Sequence, residues 1–478
     1  PLGRPLPLLT FALQADSWPN HPHHFVVVNA CIHIANALLV YWLLCKWMRL
    51  LDVACKWLPI AVMLVWVVNP MWVSSVMYIV QRMALMSVMF TLLTVIAFMY
   101  FRSAIDQRRV GRALFLGAVG VVSAVAALFS KENALVLPFI LMLVEFSLGW
   151  TRNAQRASAN VGSAWVKCAL AASVLVVAGW LLWLWLHELL MLMRGDSVAS
   201  VRNFTITERL LTQSVILWEY IGQFFRLPMQ TSGLFHDHHV VHKSILNPCV
   251  VLALLGHCAL ICIAIAFRRQ FPLVSIGILF FYCAHVIEST TVLLELKFEH
   301  RNYLPGVGLS IFSVSVCSHM KQNARVVLIG AYAGFASLML LLRVGLWSDP
   351  KLLAATWASE ASTSVRAQQH AAEVYRVNGD FRKALKYMSD AVKLSPDDPV
   401  AKLKYFSYTC NDLVGEPSLI NDLKFEPLDW SIVKVMEVIL GNMESGVCMV
   451  KLDYYQKLLM AVRAVSYTHL TLPTKPSV

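Results

Sequence analysis

The stretch LELKFEHRNYLPGVGL, residues 293–308, is densely charged although it lies between two apolar runs. Five ionisable side chains occupy seven positions: Glu295, Lys297, Glu299, His300 and Arg301. Ionisable groups within membrane segments are costly and are therefore functional-site candidates by default. Arginine and lysine supply the donors that a phosphate needs, and arginine supplies them in pairs. The stretch is therefore a candidate phosphate-binding site.

Other polar residues are predicted to lie at the same membrane surface. Gln81 and Arg82 begin one predicted span, and Lys131 and Glu132 lie in a turn between two others. Arg82, Lys131 and Arg301 would place three cations at one depth, where a lipid-linked phosphate headgroup lies. The structural alternative is that Lys131 and Glu132 form an interfacial ion pair of little consequence.

A polar stripe runs along the first predicted span. Asn29, His33 and Asn36 are spaced i, i+4 and i+7, which places them on one helix face directed towards the other helices. They are candidates for supporting the site. The structural alternative is that they hydrogen-bond to neighbouring helices.

A second polar face is predicted in the eighth span. His285, Glu288, Glu295 and Glu299 would lie within about 80° of one another if that helix continued to residue 299. Their face would continue into the charged stretch. The structural alternative is that Glu299 and Arg301 cap helix ends.

The composition shows which elements must position these residues. Hydrophobic residues make up 58% of the 478 and charged residues only 14%, and the mean hydropathy is +0.62. Apolar stretches of membrane-spanning length recur, and no alternating strand pattern competes with them. We therefore predict an all-α polytopic membrane bundle, with the second span interrupted at Asn69-Pro70. Ten spans are predicted, at 24–45, 57–79, 83–101, 113–129, 134–150, 168–192, 248–267, 271–293, 304–319 and 326–346.

The net charge of +12 follows from membrane topology and not from nucleic-acid binding. Alternate loops hold fourteen basic residues against only Asp52 and Asp106, whereas the remaining loops are nearly balanced. This is the positive-inside asymmetry, and it predicts that the balanced loops and the C-terminal region lie outside the cytoplasm.

Cysteines and histidines give weaker signals. The eleven cysteines lie mostly inside predicted spans without a CxxC pair, which is typical of small core residues. Histidines cluster at 21–24 and 236–242. Neither cluster has the regular helical spacing with carboxylate support that would favour a metal site, so we expect no bound metal or other cofactor.

Both ends of the sequence have unusual features. The chain begins PLGRPLPLLTF without Met or a signal peptide, although the charge asymmetry places this start outside. We expect a preceding helix, with residues 1–23 as the remnant of the first outer loop. Residues 466–478 resemble a translated sequencing-adapter tail, and a native disordered tail is the alternative.

A repeat-like segment, residues 364–399, follows the last predicted span. Its spacing resembles the 34-residue tetratricopeptide repeat, although Ala372 stands where Gly is commoner and Met388 where an aromatic residue is expected. The matching positions are Tyr375, Gly379, Ala384, Ala391 and Pro396. One repeat cannot bury its own face, so segments at 400–465 are predicted to stack on it. The alternative is a generic helical hairpin.

Together these patterns predict four parts. They are the loop remnant at 1–23, a membrane domain at 24–346 with an outer loop at 194–247, a helical repeat domain at 350–465 and a non-native tail at 466–478.

The chain resembles the GT-C superfamily of polytopic glycosyltransferases, and most closely its branch with C-terminal tetratricopeptide repeats. That branch comprises the bacterial relatives of the transmembrane and tetratricopeptide-containing O-mannosyltransferases. The resemblance covers about residues 3–400 and is carried by GRPLPLLTFAL, HHFVVVNACIHIANALLVY, NPMWVSSVMYIVQRMALMSVMF, SKENALVLPFILMLVE, ERLLTQSVILWEY, FEHRNYLPGVGL and the repeat.

The resemblance implies transfer of a sugar from a polyprenyl-phosphate carrier to a protein or glycan acceptor, on the periplasmic side of a bacterial inner membrane. Cations would bind the donor phosphate, and Glu299 or His300 would orient the sugar or acceptor. The residues expected to line the donor site are Gln81, Arg82, Lys131, Glu132, Glu299, His300 and Arg301. The repeat domain would dock a peptide or protein partner.

The resemblance also implies a catalytic acid in the first outer loop, upstream of the RPL motif and thus before Pro1. Asp16 follows that motif and does not match it. The sequence therefore identifies no catalytic base. Two other functions stay open, an O-antigen ligase or polymerase acting on lipid-linked oligosaccharide, and a non-catalytic membrane anchor whose repeat domain assembles an envelope complex.

Overall fold

The computed structural model describes residues 3–150, 161–193, 204–228, 233–236 and 239–409. In these ranges all regular secondary structure is helical, as predicted. The α-helices are α1 Pro5–Ala12, α2 His23–Leu50, α3 Leu58–Val67, α4 Val73–Met77, α5 Arg82–Asp106, α6 Val110–Ser130, α7 Leu137–Leu148, α8 Val161–Met193, α9 Ile206–Arg226, α10 Pro248–Ala266, α11 Pro272–His285, α12 Pro305–Cys317, α13 Gln322–Trp347, α14 Pro350–Glu360, α15 Val365–Val377, α16 Phe381–Leu394 and α17 Pro399–Thr409.

Some predicted features lie outside the described residues. They are the tail at 466–478, almost all of the stacking helices predicted at 400–465, parts of the loop at 194–247, and Asp237 and His238 of the cluster at 236–242. The chain forms two units. The first comprises Pro1–Met229 and His239–Trp347, and the second comprises Gln230–His238 and Ser348–Val478.

The first unit is a membrane bundle. Six described helices are long and apolar enough to span a bilayer, and a bent helix pair brings the total to seven. The six are His23–Leu50, Ile79–Asp106, Val110–Ser130, Ala164–Met191, Pro248–Ala266 and Gln322–Trp347. The prediction of ten spans is not confirmed. At 134–150, 271–293 and 304–319 the helices have only 12, 14 and 13 residues, whereas a span needs about 20.

The predicted interruption of the second span is confirmed. Leu58–Val67 and Pro70–Met77 meet at a 48° bend. Asn69 stabilises the break because its Oδ1 accepts a hydrogen bond from the Met71 N–H, at 2.9 Å. Its Nδ2 donates to the Phe224 carbonyl and to the Tyr332 hydroxyl, so the bend is anchored to two other helices.

The eighth predicted span is shorter than expected. Helix α11 ends at His285, and residues 286–298 form turns and irregular backbone before the 3-10 helix Glu299–Asn302. The prediction that Glu288, Glu295 and Glu299 continue one helical face with His285 is therefore wrong. We call residues 286–298 the irregular segment.

Arg209 on α9 holds the irregular segment. Its side chain is fully buried and donates to four backbone carbonyls, those of Glu288, Thr290, Leu294 and Glu295. Further along, the Gln213 amide donates to the Leu296 carbonyl, and the Tyr220 hydroxyl accepts from the Phe298 N–H. These bonds replace those that a continuing helix would make, which buried backbone requires.

Helices α11 and α12 approach each other through glycine. A Cβ on Gly308 would lie 2.6 Å from the Gly277 carbonyl oxygen and 2.7 Å from the Phe281 nitrogen. A Cβ on Gly277 would lie 2.5 Å from the Phe312 nitrogen. Because these neighbours are backbone atoms of a second helix, no side-chain movement can relieve the overlap.

The described part of the second unit contains α14 to α17. Helices α15 and α16 form the helical hairpin expected at 364–399, joined at Gly379, whose φ of +78° favours glycine. Ala372, Ala384, Met388 and Ala391 are fully buried, and Tyr375 nearly so, whereas Pro396 is exposed after the hairpin. The small residues thus lie where the two helices meet.

The contact between α11 and α12 can be tested with Gly308→Ala. We expect overpacking against backbone to lower the free energy of unfolding by about 1–3 kcal/mol. The matched control is Gly330→Ala on α13, where a Cβ would have nothing within 4 Å. Thermal unfolding in detergent measures both, and equal melting temperatures for the two variants would contradict the close contact.

Candidate functional site

One polar cavity of the first unit brings together residues from distant parts of the sequence. It has a volume of about 550 Å³. We call it the charged cavity. Its walls come from the segment before α1, the chain before α5 and the first turn of α5, the turn after α6, helix α8, the irregular segment and the 3-10 helix that follows. The lining residues are Arg4, Val80, Gln81, Met83, Lys131, Glu132, Asn133, Leu135, Trp180, Ile287, Glu288, Val292, Leu294, Glu295, Phe298, His300 and Arg301.

Five of the seven residues expected at the donor site line this cavity. They are Gln81, Lys131, Glu132, His300 and Arg301. Glu288, expected only as a supporting residue, also lines it, as does Glu295 of the charged stretch. The turn after α6 and the stretch around residue 300 are more than 150 positions apart in sequence, so the fold and not local sequence creates the cluster.

Arg301 presents an open guanidinium edge. Its Nη1 donates to the carbonyls of Glu295 and Leu296, and its guanidinium carbon lies 5.3 Å from the centre of the Phe298 ring. Among the described residues, Nε and Nη2 have no hydrogen-bond partner. The side chain is therefore fixed by one nitrogen while two donors remain for a ligand in the cavity.

Lys131 is a buried cation paired with one carboxylate. Its Nζ lies 2.9 Å from Glu288 Oε1, and both side chains are almost inaccessible. The burial of Glu288 favours its neutral form, but the charges of Lys131 and Arg301 outweigh this and lower the pKa of Glu288. Since Glu288 belongs to the irregular segment, the ion pair also joins that segment to the turn after α6.

Arg4 is a cavity residue that sequence reasoning did not select. Its Nε and Nη2 contact both carboxylate oxygens of Glu132, at 2.9–3.3 Å. Burial disfavours the charged form of Glu132, but the hydrogen bonds and charge of Arg4 outweigh it, and the pKa of Glu132 lies below its ordinary value. Arg4 belongs to the RPL motif. The apolar residues around that motif do not indicate a contact with Glu132, which lies 128 positions further along the chain.

Two uncharged groups face the cavity without partners. Gln81 is 7% exposed, and its buried Oε1 accepts no hydrogen bond. His300 stacks on Phe298, and neither ring nitrogen has a hydrogen-bond partner in the described part of the chain. Burial and the nearby charges of Lys131 and Arg301 lower the pKa of His300 well below its ordinary value. The imidazole is therefore neutral at pH 7 and able to donate or accept a hydrogen bond.

The two remaining expected residues lie elsewhere. Arg82 is fully buried, and its guanidinium donates to Asn29 Oδ1 at 2.9 Å, to Thr10 and to the Phe25 carbonyl. Glu299 faces Arg343 of α13 at 3.6 Å. Neither side chain lines the charged cavity, and each contacts other groups of the protein instead.

The polar stripe on α2 contacts other helices, as its structural alternative predicted. Asn29 donates to the Val76 carbonyl and Asn36 to the Leu85 carbonyl, each at 3.0 Å. His33 hydrogen-bonds to the Tyr303 hydroxyl at 2.6 Å. His285, the other supporting residue, hydrogen-bonds to Ser289 and Asn302 outside the cavity.

Lys297 of the charged stretch forms a separate cluster. Its Nζ lies 2.7 Å from Glu219, which also hydrogen-bonds to His239 of the second histidine cluster. Burial favours the neutral acid, but the hydrogen bond with His239 and the charge of Lys297 outweigh it and lower the pKa of Glu219 to about 2. In the described ranges, no group of three or more His, Cys, Asp or Glu side chains is placed to hold a metal ion.

The fold and the cavity define a polytopic α-helical membrane protein with a polar site of mixed charge. Within the cavity, the three cations Arg4, Lys131 and Arg301 stand against the three carboxylates Glu132, Glu288 and Glu295. No protein-family model, curated protein or solved structure matches the chain.

The neutrality of His300 gives a testable pH dependence. In the unfolded protein the His300 imidazole takes up a proton near pH 6.5. In the folded protein its pKa is lower, so protonation needs a lower pH. Stability therefore falls as the pH drops below 6.5. Between pH 7.5 and pH 5, we expect the wild type to lose up to about 2 kcal/mol more unfolding free energy than His300→Gln.

Thermal unfolding at the two pH values measures this difference. The control is His23→Gln, which replaces an exposed imidazole of the same unit and should leave the pH dependence of the wild type unchanged. An identical loss of stability in the wild type and His300→Gln would contradict the assignment of a buried, neutral His300.

Proposed function

We propose that this protein is a membrane glycosyltransferase that transfers a sugar from a polyprenyl-phosphate donor to an acceptor, with the donor phosphate in the charged cavity. The observation that carries the proposal is the open edge of Arg301, fixed by backbone carbonyls beside the buried Lys131. A guanidinium edge matches two phosphate oxygens, and a neighbouring ammonium adds a second charge.

The cavity wall favours a lipid-linked donor over a soluble one. Trp180 belongs to the membrane-spanning stretch Ala164–Met191, and it lines the same cavity as Lys131 and Arg301. Ile287, Val292 and Leu294 add apolar surface to this wall. A donor with a charged phosphate and a polyprenyl chain needs such an arrangement, because its two ends differ in polarity.

The uncharged groups suit a sugar. Gln81 offers a buried acceptor, and His300 offers a neutral ring that can donate or accept. Hydroxyl groups need both kinds of partner. During transfer the acceptor oxygen bonds to the anomeric carbon while the bond from that carbon to phosphate breaks. Lys131 and Arg301 then stabilise the charge that develops on the departing phosphate.

We place the enzyme in a bacterial inner membrane, with the charged cavity and the second unit on the periplasmic side. The loop asymmetry, fourteen basic residues against two acidic, supports this orientation. The proposed reaction uses no cofactor besides the lipid-linked donor itself. The acceptor is a protein or glycan outside the cytoplasm.

We also propose that α15 and α16 form a tetratricopeptide repeat that docks a protein partner. The left-handed Gly379 and the buried Ala384 and Ala391 support this, since the repeat needs a tight turn and small residues between its helices. Tyr375 stacks on Tyr387 with ring centres 5.5 Å apart, which fixes the ring at the repeat's aromatic position.

The phosphate site can be tested with Arg301→Gln and Lys131→Gln in the full-length protein. We expect each change to reduce sugar transfer by about 10²-fold or more, because each removes a charged donor from the leaving phosphate. The assay measures release of polyprenyl phosphate from synthetic polyprenyl-phosphate sugars in membrane vesicles.

Lys297→Gln is the matched control. It removes a cation from the same charged stretch, but Lys297 pairs with Glu219 and does not line the cavity. Its transfer rate should stay within about twofold of the wild type, because the ion pair that it breaks lies outside the cavity. Undiminished transfer in both cavity variants would refute the site, whereas absence of transfer in the wild type would favour a non-catalytic scaffold.

A further inference from the structure

The Arg4–Glu132 pair of the charged cavity is more accessible than the Lys131–Glu288 pair. The two side chains are 38% and 34% exposed, whereas those of Lys131 and Glu288 are 11% and 5% exposed. Separating a partly hydrated pair costs little, because water solvates the released groups, but a buried pair leaves a charge without compensation. Arg4 and Glu132 are therefore the partners that an incoming ligand separates most easily.

A phosphate competes directly with Glu132 for Arg4. The carboxylate occupies one edge of the guanidinium through Nε and Nη2. Carboxylates and phosphates both bind this edge through two parallel hydrogen bonds, so only one of them can hold it at a time. A phosphate bound by Arg301 and Lys131 lies in the same cavity as Arg4, and its two non-bridging oxygens offer the guanidinium the same pair of acceptors as a carboxylate.

We propose that the donor phosphate displaces Glu132 from Arg4 and that the released Glu132 carboxylate is the general base of the transfer. This inference rests on the proposed function. Arg4 thus binds the donor and, before the donor arrives, masks the catalytic carboxylate.

The proton and electrons balance without another reactant. The acceptor hydroxyl gives its proton to Glu132, and its oxygen forms a bond to the anomeric carbon. The bond from that carbon to the phosphate oxygen breaks, and its electron pair leaves with the polyprenyl phosphate. Arg4, Lys131 and Arg301 stabilise the anion that forms, and Glu132 passes its proton to water when the products leave.

Glu132 is better placed for this role than Glu288. The Glu288 carboxylate is 5% exposed and bound to Lys131, and its backbone carbonyl is held by Arg209. Glu132 has a third of its side chain exposed, so an acceptor reaches it from solvent. Loss of the Arg4 hydrogen bonds also moves the pKa of Glu132 back up, which makes the carboxylate a stronger base.

The exchange has a binding signature that a structural pair would not show. We measure the affinity of the full-length protein in lipid nanodiscs for farnesyl phosphate, a polyprenyl phosphate without a sugar. Glu132→Gln removes the competitor for Arg4, so we expect about tenfold tighter binding. Arg4→Gln should weaken binding by about tenfold, and adding Glu132→Gln to Arg4→Gln should restore nothing.

Glu373→Gln is the control for the loss of an accessible ion pair. Arg376 contacts both oxygens of Glu373 through Nε and Nη2, the same two nitrogens that Arg4 uses, but in the second unit. Its farnesyl phosphate affinity should equal that of the wild type. Unchanged or weaker binding in Glu132→Gln, with Arg301→Gln impaired, would overturn the exchange but leave the phosphate site intact.

Turnover tests the base. Glu132→Gln should bind the donor tightly yet transfer sugar about 10²- to 10⁴-fold more slowly, and Glu132→Asp should retain part of the rate. Undiminished transfer in Glu132→Gln would overturn the assignment of Glu132 as the general base. If Arg301→Gln and Arg4→Gln both bind farnesyl phosphate like the wild type, the proposed phosphate site itself is refuted.

Discussion

The charged cavity depends on how Arg209 binds the irregular segment. A helix that ends inside a membrane protein leaves carbonyl groups without partners, and water is not available there to satisfy them. Backbone that continues irregularly beyond such a helix end has the same need, and Arg209 donates to four carbonyls of residues 286–298, after α11 ends at His285. Without this side chain the segment would lose these four hydrogen bonds and leave four carbonyls unpaired, which is costly for buried backbone.

Three groups of the cavity follow from this arrangement. The irregular segment carries Glu288, which pairs with Lys131, and its carbonyl at Glu295 helps to fix Arg301. His300 comes next along the 3-10 helix and stays neutral between Lys131 and Arg301. A continuous α11 would have rotated these side chains around a helix axis, so the break and the cavity are two results of one set of hydrogen bonds.

The sequence predicted the composition of the cavity better than its geometry. Lys131, Glu132, His300 and Arg301 were selected because ionisable groups beside apolar segments are rare and costly. The same rule selects Arg82, each of whose three guanidinium nitrogens donates to a protein oxygen, because residue type does not reveal how many partners the fold supplies. The helical face through Glu288 and Glu299 failed for a related reason. A periodic pattern assumes a continuous helix, and the residue that ends this one, Arg209, lies about 80 positions away.

The balance of cations and carboxylates limits how the cavity can bind an anion, which the number of cations alone would not show. With three cations facing three carboxylates, the resting cavity has no excess positive charge, so a phosphate cannot be held by attraction alone. It must take donors from a carboxylate or use donors that are still open, such as those of Arg301. Under the proposed exchange, a phosphate that binds Arg4 releases the Glu132 carboxylate beside it. Anion binding and the exposure of a proton acceptor would thereby be coupled, since the same guanidinium cannot hold both partners.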